Sequence, residues 1–93
     1  VIGIPHRRPP RYEVHYRLLP PLGRGTISRH FEEMEVTSLG DGCVEVRGVT
    51  DDLFEAERIL LSYGQYCKVL GGVELKRRVE KAIRGMVANL SED

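Results

Sequence analysis

The chain has no tryptophan, two cysteines, no net charge and no apolar run longer than a few residues. The short runs leave no room for a membrane span or for the apolar core of a secretory leader. Two thiols, Cys43 and Cys67, are too few for a disulfide scaffold or a four-ligand zinc site, so reduced cysteines in a cytoplasmic protein are expected. What remains is 93 residues, 41% hydrophobic and 30% charged, which suits one small folded domain with a single core. The first residue is Val1 and not methionine, and the expectation is a module cut from something larger.

The zero charge conceals an asymmetry. Residues 1–31 carry Arg7, Arg8, Arg11, Arg17, Arg24 and Arg29 against Glu13 alone, a net of +5, and the remaining residues carry −5. Arginine supplies 11 of the 14 cations, and its planar fork suits phosphate or carboxylate. Those six arginines are the candidate nucleic-acid or ligand contacts. The plainer alternative is a solvated arm that neutralises the acidic remainder.

Residues 1–10 contain three prolines and read as an extended arm or linker, leaving 11–93 as the folded domain. Tyr12, Val14 and Tyr16 alternate with Glu13, His15 and Arg17, a half-buried strand. Pro20 and Pro21 with Gly23 and Gly25 make residues 18–29 a short helix or an irregular crossover. Met34 and Val36 alternate with Glu33, Glu35 and Thr37, and Leu39-Gly40-Asp41-Gly42 turns that strand into Cys43–Val49, with Val44 and Val46 inward. Thr50-Asp51-Asp52 offers N-cap oxygens for a helix, with Glu55 three residues after Asp52 in a capping-box arrangement; Leu53, Ala56, Leu60 and Tyr63 form its buried stripe, and Gly64 stops it. Gln65–Leu70 is a short strand. Residues 73–90 form a long amphipathic helix with apolar positions at 75, 79, 82, 83, 86, 87 and 90, expected to dock on an apolar surface. Its opposite face carries Lys76, Arg77, Arg78, Lys81 and Arg84, with Glu74 and Glu80 spaced to pair with Arg78 and Arg84. This order predicts an α+β fold, a ferredoxin-like βαββαβ sandwich with an additional C-terminal helix.

Catalytic patterns are sparse. His6, His15 and His30 lie in three different elements, so no metal is expected; no cofactor is expected either, and nothing resembles a redox Cys-x-x-Cys or a nucleophile elbow. Gly23-Arg24-Gly25 lacks the Lys-Ser/Thr ending of a nucleotide loop, and a turn accounts for it. The strand Cys43–Val49 has no aromatic residue, which disfavours base stacking of the kind RNA-recognition sheets use. A basic surface is still conceivable, with His15, Arg17, Arg24, Arg29 and His30 converging on the arginines of the arm; its contacts would be to phosphates and carry little sequence specificity.

From Phe31 onward the chain resembles the C-terminal extension, WCX, of bacterial WYL-domain transcriptional regulators. The resemblance is carried by Phe31-Glu32-Glu33-Met34-Glu35-Val36, the Leu39–Gly42 turn, Val44-Glu45-Val46, and Asp51-Asp52-Leu53 through Ile59-Leu60-Leu61-Ser62-Tyr63-Gly64. Cys67-Lys68-Val69-Leu70 and Glu74-Leu75-Lys76-Arg77-Arg78-Val79 complete it. Two features depart from the family pattern: Gly71-Gly72 stands where a proline usually follows the fourth strand, and the Pro20–Gly25 crossover is atypical. The resemblance implies a non-catalytic regulatory domain, a homodimer, that sits beside WYL and helix-turn-helix domains and relays or modulates sensing of a nucleic-acid or nucleotide ligand, away from membranes. The alternative is an autonomous single-stranded nucleic-acid binder using the arginine-rich first third. A small enzyme of the acylphosphatase kind is disfavoured, because Leu18-Leu19-Pro20-Pro21-Leu22-Gly23 does not reproduce the anion loop such enzymes place after their first strand.

Overall fold

The computed structural model describes residues 10–91, so most of the expected arm, including Arg7 and Arg8, lies outside the described residues. Four strands and two helices follow one another as β1 (Tyr12–Leu18), β2 (Glu32–Ser38), β3 (Val44–Thr50), α1 (Leu53–Ser62), β4 (Cys67–Gly71) and α2 (Val73–Ser91). The sheet order is β2-β3-β1-β4, with every neighbouring pair antiparallel. The first helix of the expected βαββαβ order is absent: between β1 and β2 the only helical backbone is a three-residue 3-10 turn, Arg24–Thr26. Prolines and glycines through this stretch deny a helix its hydrogen bonds and its favourable backbone entropy.

The alternation read from sequence sets the two faces. Val14, Tyr16 and Leu18 of β1 are fully buried, and Val44 and Val46 of β3 join them, so both helices pack on this one face through Ala56, Leu60, Leu75 and Val79. Where a first crossover helix would lie, Leu22, Ile27 and Phe31 enter the same core from the irregular segment. Tyr16 ties these parts together, stacked on Tyr63 at 5.7 Å between ring centroids and edge-on to Phe31 at 6.3 Å. The Ser28 backbone N–H donates to the Tyr63 hydroxyl at 2.9 Å, which fastens the crossover to the end of α1. Gly48 makes room for this packing, since a Cβ there would stand 3.1 Å from the Cβ of Phe31.

Local signals explain the element ends. Asp52 caps α1, its Oδ1 accepting from the Glu55 N–H at 3.0 Å; the reciprocal half of the capping box is replaced, because the Asp52 N–H donates to Thr50 Oγ1. Gly64, at φ +64°, follows α1 and opens a 3-10 turn, Gly64–Tyr66, so β4 begins at Cys67, two residues later than its sequence suggests. The β2–β3 turn closes with the Cys43 N–H donating to Asp41 Oδ1 at 3.0 Å, leaving Cys43 just before β3 and buried. Gly72 has the strictest requirement: φ is +83°, and a Cβ there would lie 2.2 Å from the Glu13 carbonyl oxygen. The departure from proline at Gly71-Gly72 thus goes with a close approach of the α2 start to β1.

Candidate interaction surfaces

The sheet face away from the helices carries Glu13, His15 and Arg17 from β1 and Glu45 and Arg47 from β3, placed side by side by the register His15↔Arg47 and Arg17↔Glu45. Glu45 is the hub. Its Oε1 accepts from Arg17 at 3.3 Å, its Oε2 lies 3.1 Å from His15 Nε2, and Arg47 Nε stands 3.9 Å away. The hydrogen bonds from His15 and then Arg17 hold the Glu45 carboxyl below the ordinary carboxylate value. Arg11 is likewise occupied: it reaches past the end of β3 to Glu32 at 3.5 Å and to Glu33. Glu33 sits at φ 53° in a bulge of β2, a backbone position uncommon for a residue with a side chain.

Of the candidate arginines, those with described side chains, Arg11, Arg17 and Arg29, are not gathered into one cluster. Arg11 and Arg17 flank β1 at opposite ends, about 20 Å apart at a strand's rise per residue, and each holds a glutamate. Arg24 belongs to the short 3-10 turn, and Arg29 is exposed in the crossover on the helix side, close enough for its charge to act on the Tyr16 hydroxyl. Burial, the larger influence, raises the Tyr16 hydroxyl above its ordinary value. No group of three or more histidine, cysteine or acidic side chains among the described residues could hold a metal ion. No helix among them is long and apolar enough to cross a membrane.

The second surface lies along α2. Leu75 and Val79 are buried, but Ile83, Met86, Val87 and Leu90 are 47%, 53%, 56% and 85% exposed. The expected apolar docking of the helix therefore holds for its first two turns alone. A groove of about 800 Å³ runs beside the uncovered half, walled by these side chains and Val79, and floored by Leu60, Leu61, Cys67 and Val69 of α1 and β4. Burial pushes the Cys67 thiol up to about 11. The expected helix-internal pairs also differ: Arg78 bonds Glu57 of α1 at 3.0 Å, so its partner comes from across the helix interface and not from Glu74. Among the described residues Glu80 and Arg84 form no ion pair within 4 Å.

The apolar stripe of α2 was visible in the sequence, but its exposure was not. Spacing reveals a stripe and is silent about how far the sheet extends beneath it. A 19-residue helix is about 28 Å long, and the five-residue edge strand β4 beside it spans only about 17 Å.

A small antiparallel sheet backed on one face by two helices, with one helix extending beyond its support, defines an α+β module with two chemically different surfaces. A sequence model of the WCX domain matches residues 10–87, most of the chain. The chain belongs to the WCX family, as the phrases from Phe31 to Val79 imply. No curated protein matches it.

Proposed function

We propose that this WCX domain is a non-catalytic regulatory and association module of a cytoplasmic WYL-type transcriptional regulator. It acts by packing against the adjacent WYL domain or a second copy, and so modulates the response to a nucleic-acid or nucleotide ligand bound next door. The observation that carries this reading is the uncovered apolar half of α2 with its groove, a large apolar surface of the sort that soluble proteins keep for partners. A change in packing there alters the geometry of the assembly, which is the differential contact that coupling between sites requires.

Autonomous binding of single-stranded nucleic acid is the second reading, favoured by the arginine content of the first third. Against it, Arg11 and Arg17 already hold carboxylates, so a phosphate would have to displace Glu33 or Glu45. A titration of labelled single-stranded DNA at increasing salt separates the two. The association reading expects no measurable binding at 0.15 M salt together with self-association in sedimentation. Binding that falls steeply with salt and is lost in an Arg7→Ala/Arg8→Ala/Arg11→Ala variant supports the nucleic-acid reading and refutes the first.

A further inference from the structure

We propose that a cleft between α1 and α2, on the opposite side of α2 from the apolar groove, binds a terminal phosphate group, the dianion of a phosphomonoester. The proposal goes beyond the association reading, giving this domain an anionic ligand of its own, and its failure leaves that reading standing.

The cleft encloses about 510 Å³ and is lined by Glu57 of α1 and by Arg77, Arg78, Lys81 and Ala82 of α2. Lys81 follows Arg78 by three residues and Arg77 by four, the spacings at which side chains on a helix are neighbours, so three cations border one volume. Glu57 is the one carboxylate in this wall. Its side chain is 16% exposed and accepts from Arg78 Nε at 3.0 Å, which fixes the guanidinium across the interface between the helices. The planar fork of Arg78 has further N–H groups for a second acceptor. Among the described residues, Arg77 and Lys81 form no ion pair within 4 Å, and neither does Glu74, one turn before them. Glu74 borders a separate cavity with Arg11 and Glu13.

The charge selects the ligand. Three cations against one carboxylate give the cleft a net charge of +2. A phosphomonoester carries about −1.5 to −2 at neutral pH and presents three acceptor oxygens, whereas a phosphodiester or a carboxylate carries a single negative charge. Arginine forks meet phosphate oxygens in pairs, and a volume of this size is in the range of sites for small ligands. Ala82, the remaining wall residue, is too short to fill the space beside the cations.

Chemical-shift titration of the nitrogen-15-labelled 93-residue chain tests this at constant ionic strength. The probes are inorganic phosphate, ribose 5-phosphate, dimethyl phosphate, an acidic peptide, and a short single-stranded DNA with and without a 5′-phosphate. Inorganic phosphate and ribose 5-phosphate are expected to move the Arg77, Arg78 and Lys81 signals saturably, with a dissociation constant on the order of 1 mM for so open a site. Dimethyl phosphate, a monoanion, should bind about tenfold more weakly. Arg77→Ala and Lys81→Ala place the strongest helix former at exposed positions, so the fold is kept, and each should weaken binding about fivefold or more. Arg84→Ala removes a cation of α2 that lies outside the cleft and should leave binding unchanged. A 5′-phosphorylated strand that binds more tightly than ribose 5-phosphate, while the unphosphorylated strand does not bind, supports the terminal phosphate and assigns it to a nucleic-acid end. Tighter binding of ribose 5-phosphate assigns it to a small molecule. Shifts that do not saturate, equal binding of dimethyl phosphate, or an equal loss in Arg84→Ala reduce the cleft to part of a general basic field and overturn the proposal. A preference for the acidic peptide or for the unphosphorylated strand overturns it as well.

Discussion

Replacing Gly72 by alanine tests the idea that the start of α2 is locked to β1 through a position where only hydrogen fits. An L-residue at φ +83° costs about 1–2 kcal/mol in backbone strain. The new Cβ would stand 2.2 Å from the Glu13 carbonyl oxygen, so strand and helix must part by about 1 Å, and forced separation of packed elements costs about 1–3 kcal/mol. The sum, about 2–5 kcal/mol, is a large share of the roughly 5–14 kcal/mol expected for a domain of this size. Gly85, in the exposed middle of α2 with nothing near its Cβ direction, is the control with opposite sign: alanine there should stabilise by about 1 kcal/mol through helix propensity. Urea unfolding followed by far-UV circular dichroism reads both. With a slope near 1 kcal/mol per molar, Gly72→Ala should lower the midpoint by about 2 M or more, and Gly85→Ala should raise it by up to about 1 M. Equal shifts for the two variants, or a Gly72→Ala shift below about 0.5 M, would mean that the Gly72 contact with β1 does not lock the start of α2.

Further predictions concern the sheet hub and the crossover. The Glu45 carboxyl titrates below its unfolded value, so its stabilising contribution is present above about pH 4.3 and is lost as pH falls through the lower folded value. Glu45→Gln should therefore flatten the acid side of a stability–pH profile measured by urea midpoint between about pH 5 and 2.5, and an unchanged slope would remove Glu45 from that role. Tyr63→Phe deletes the acceptor of the Ser28 N–H and should cost about 1–2 kcal/mol. Hydrogen exchange at Ser28 should speed up in that variant more than exchange in β3 does, and uniform acceleration would contradict a local fastening.

Much of this architecture is legible in the order of side chains. Alternation in Tyr12–Leu18, Met34–Val36 and Val44–Val46 assigns the buried face of three strands, because one face of the sheet must leave water and the period of a strand is two. The Asp41-Gly42 turn and the Asp52 cap mark their element ends through local hydrogen bonds that need no tertiary context. The crossover is different. Ile27 and Phe31 reach the core from irregular backbone, and no period betrays a buried residue whose neighbours follow no repeating geometry. The arginines illustrate another limit. Arg11 and Arg17 read as free cations along the chain, yet their partners Glu33 and Glu45 come from strands 22 and 28 residues away. Family resemblance is readable from Phe31 to Val79 because the turn, the cap and the helix phrases are local; the family match begins at residue 10, and the stretch before Phe31, shaped by long-range contacts, offers no local phrase by which to see it.

If the domain works through what it packs against, its removal must change how the regulator assembles. Deleting residues 10–87 from the regulator to which we assign the chain, then measuring sedimentation with and without the regulator's ligand, tests it most directly. A changed oligomeric state in the absence of ligand and a weakened response when ligand is added are expected. An unchanged oligomeric state together with an unchanged ligand response would contradict it.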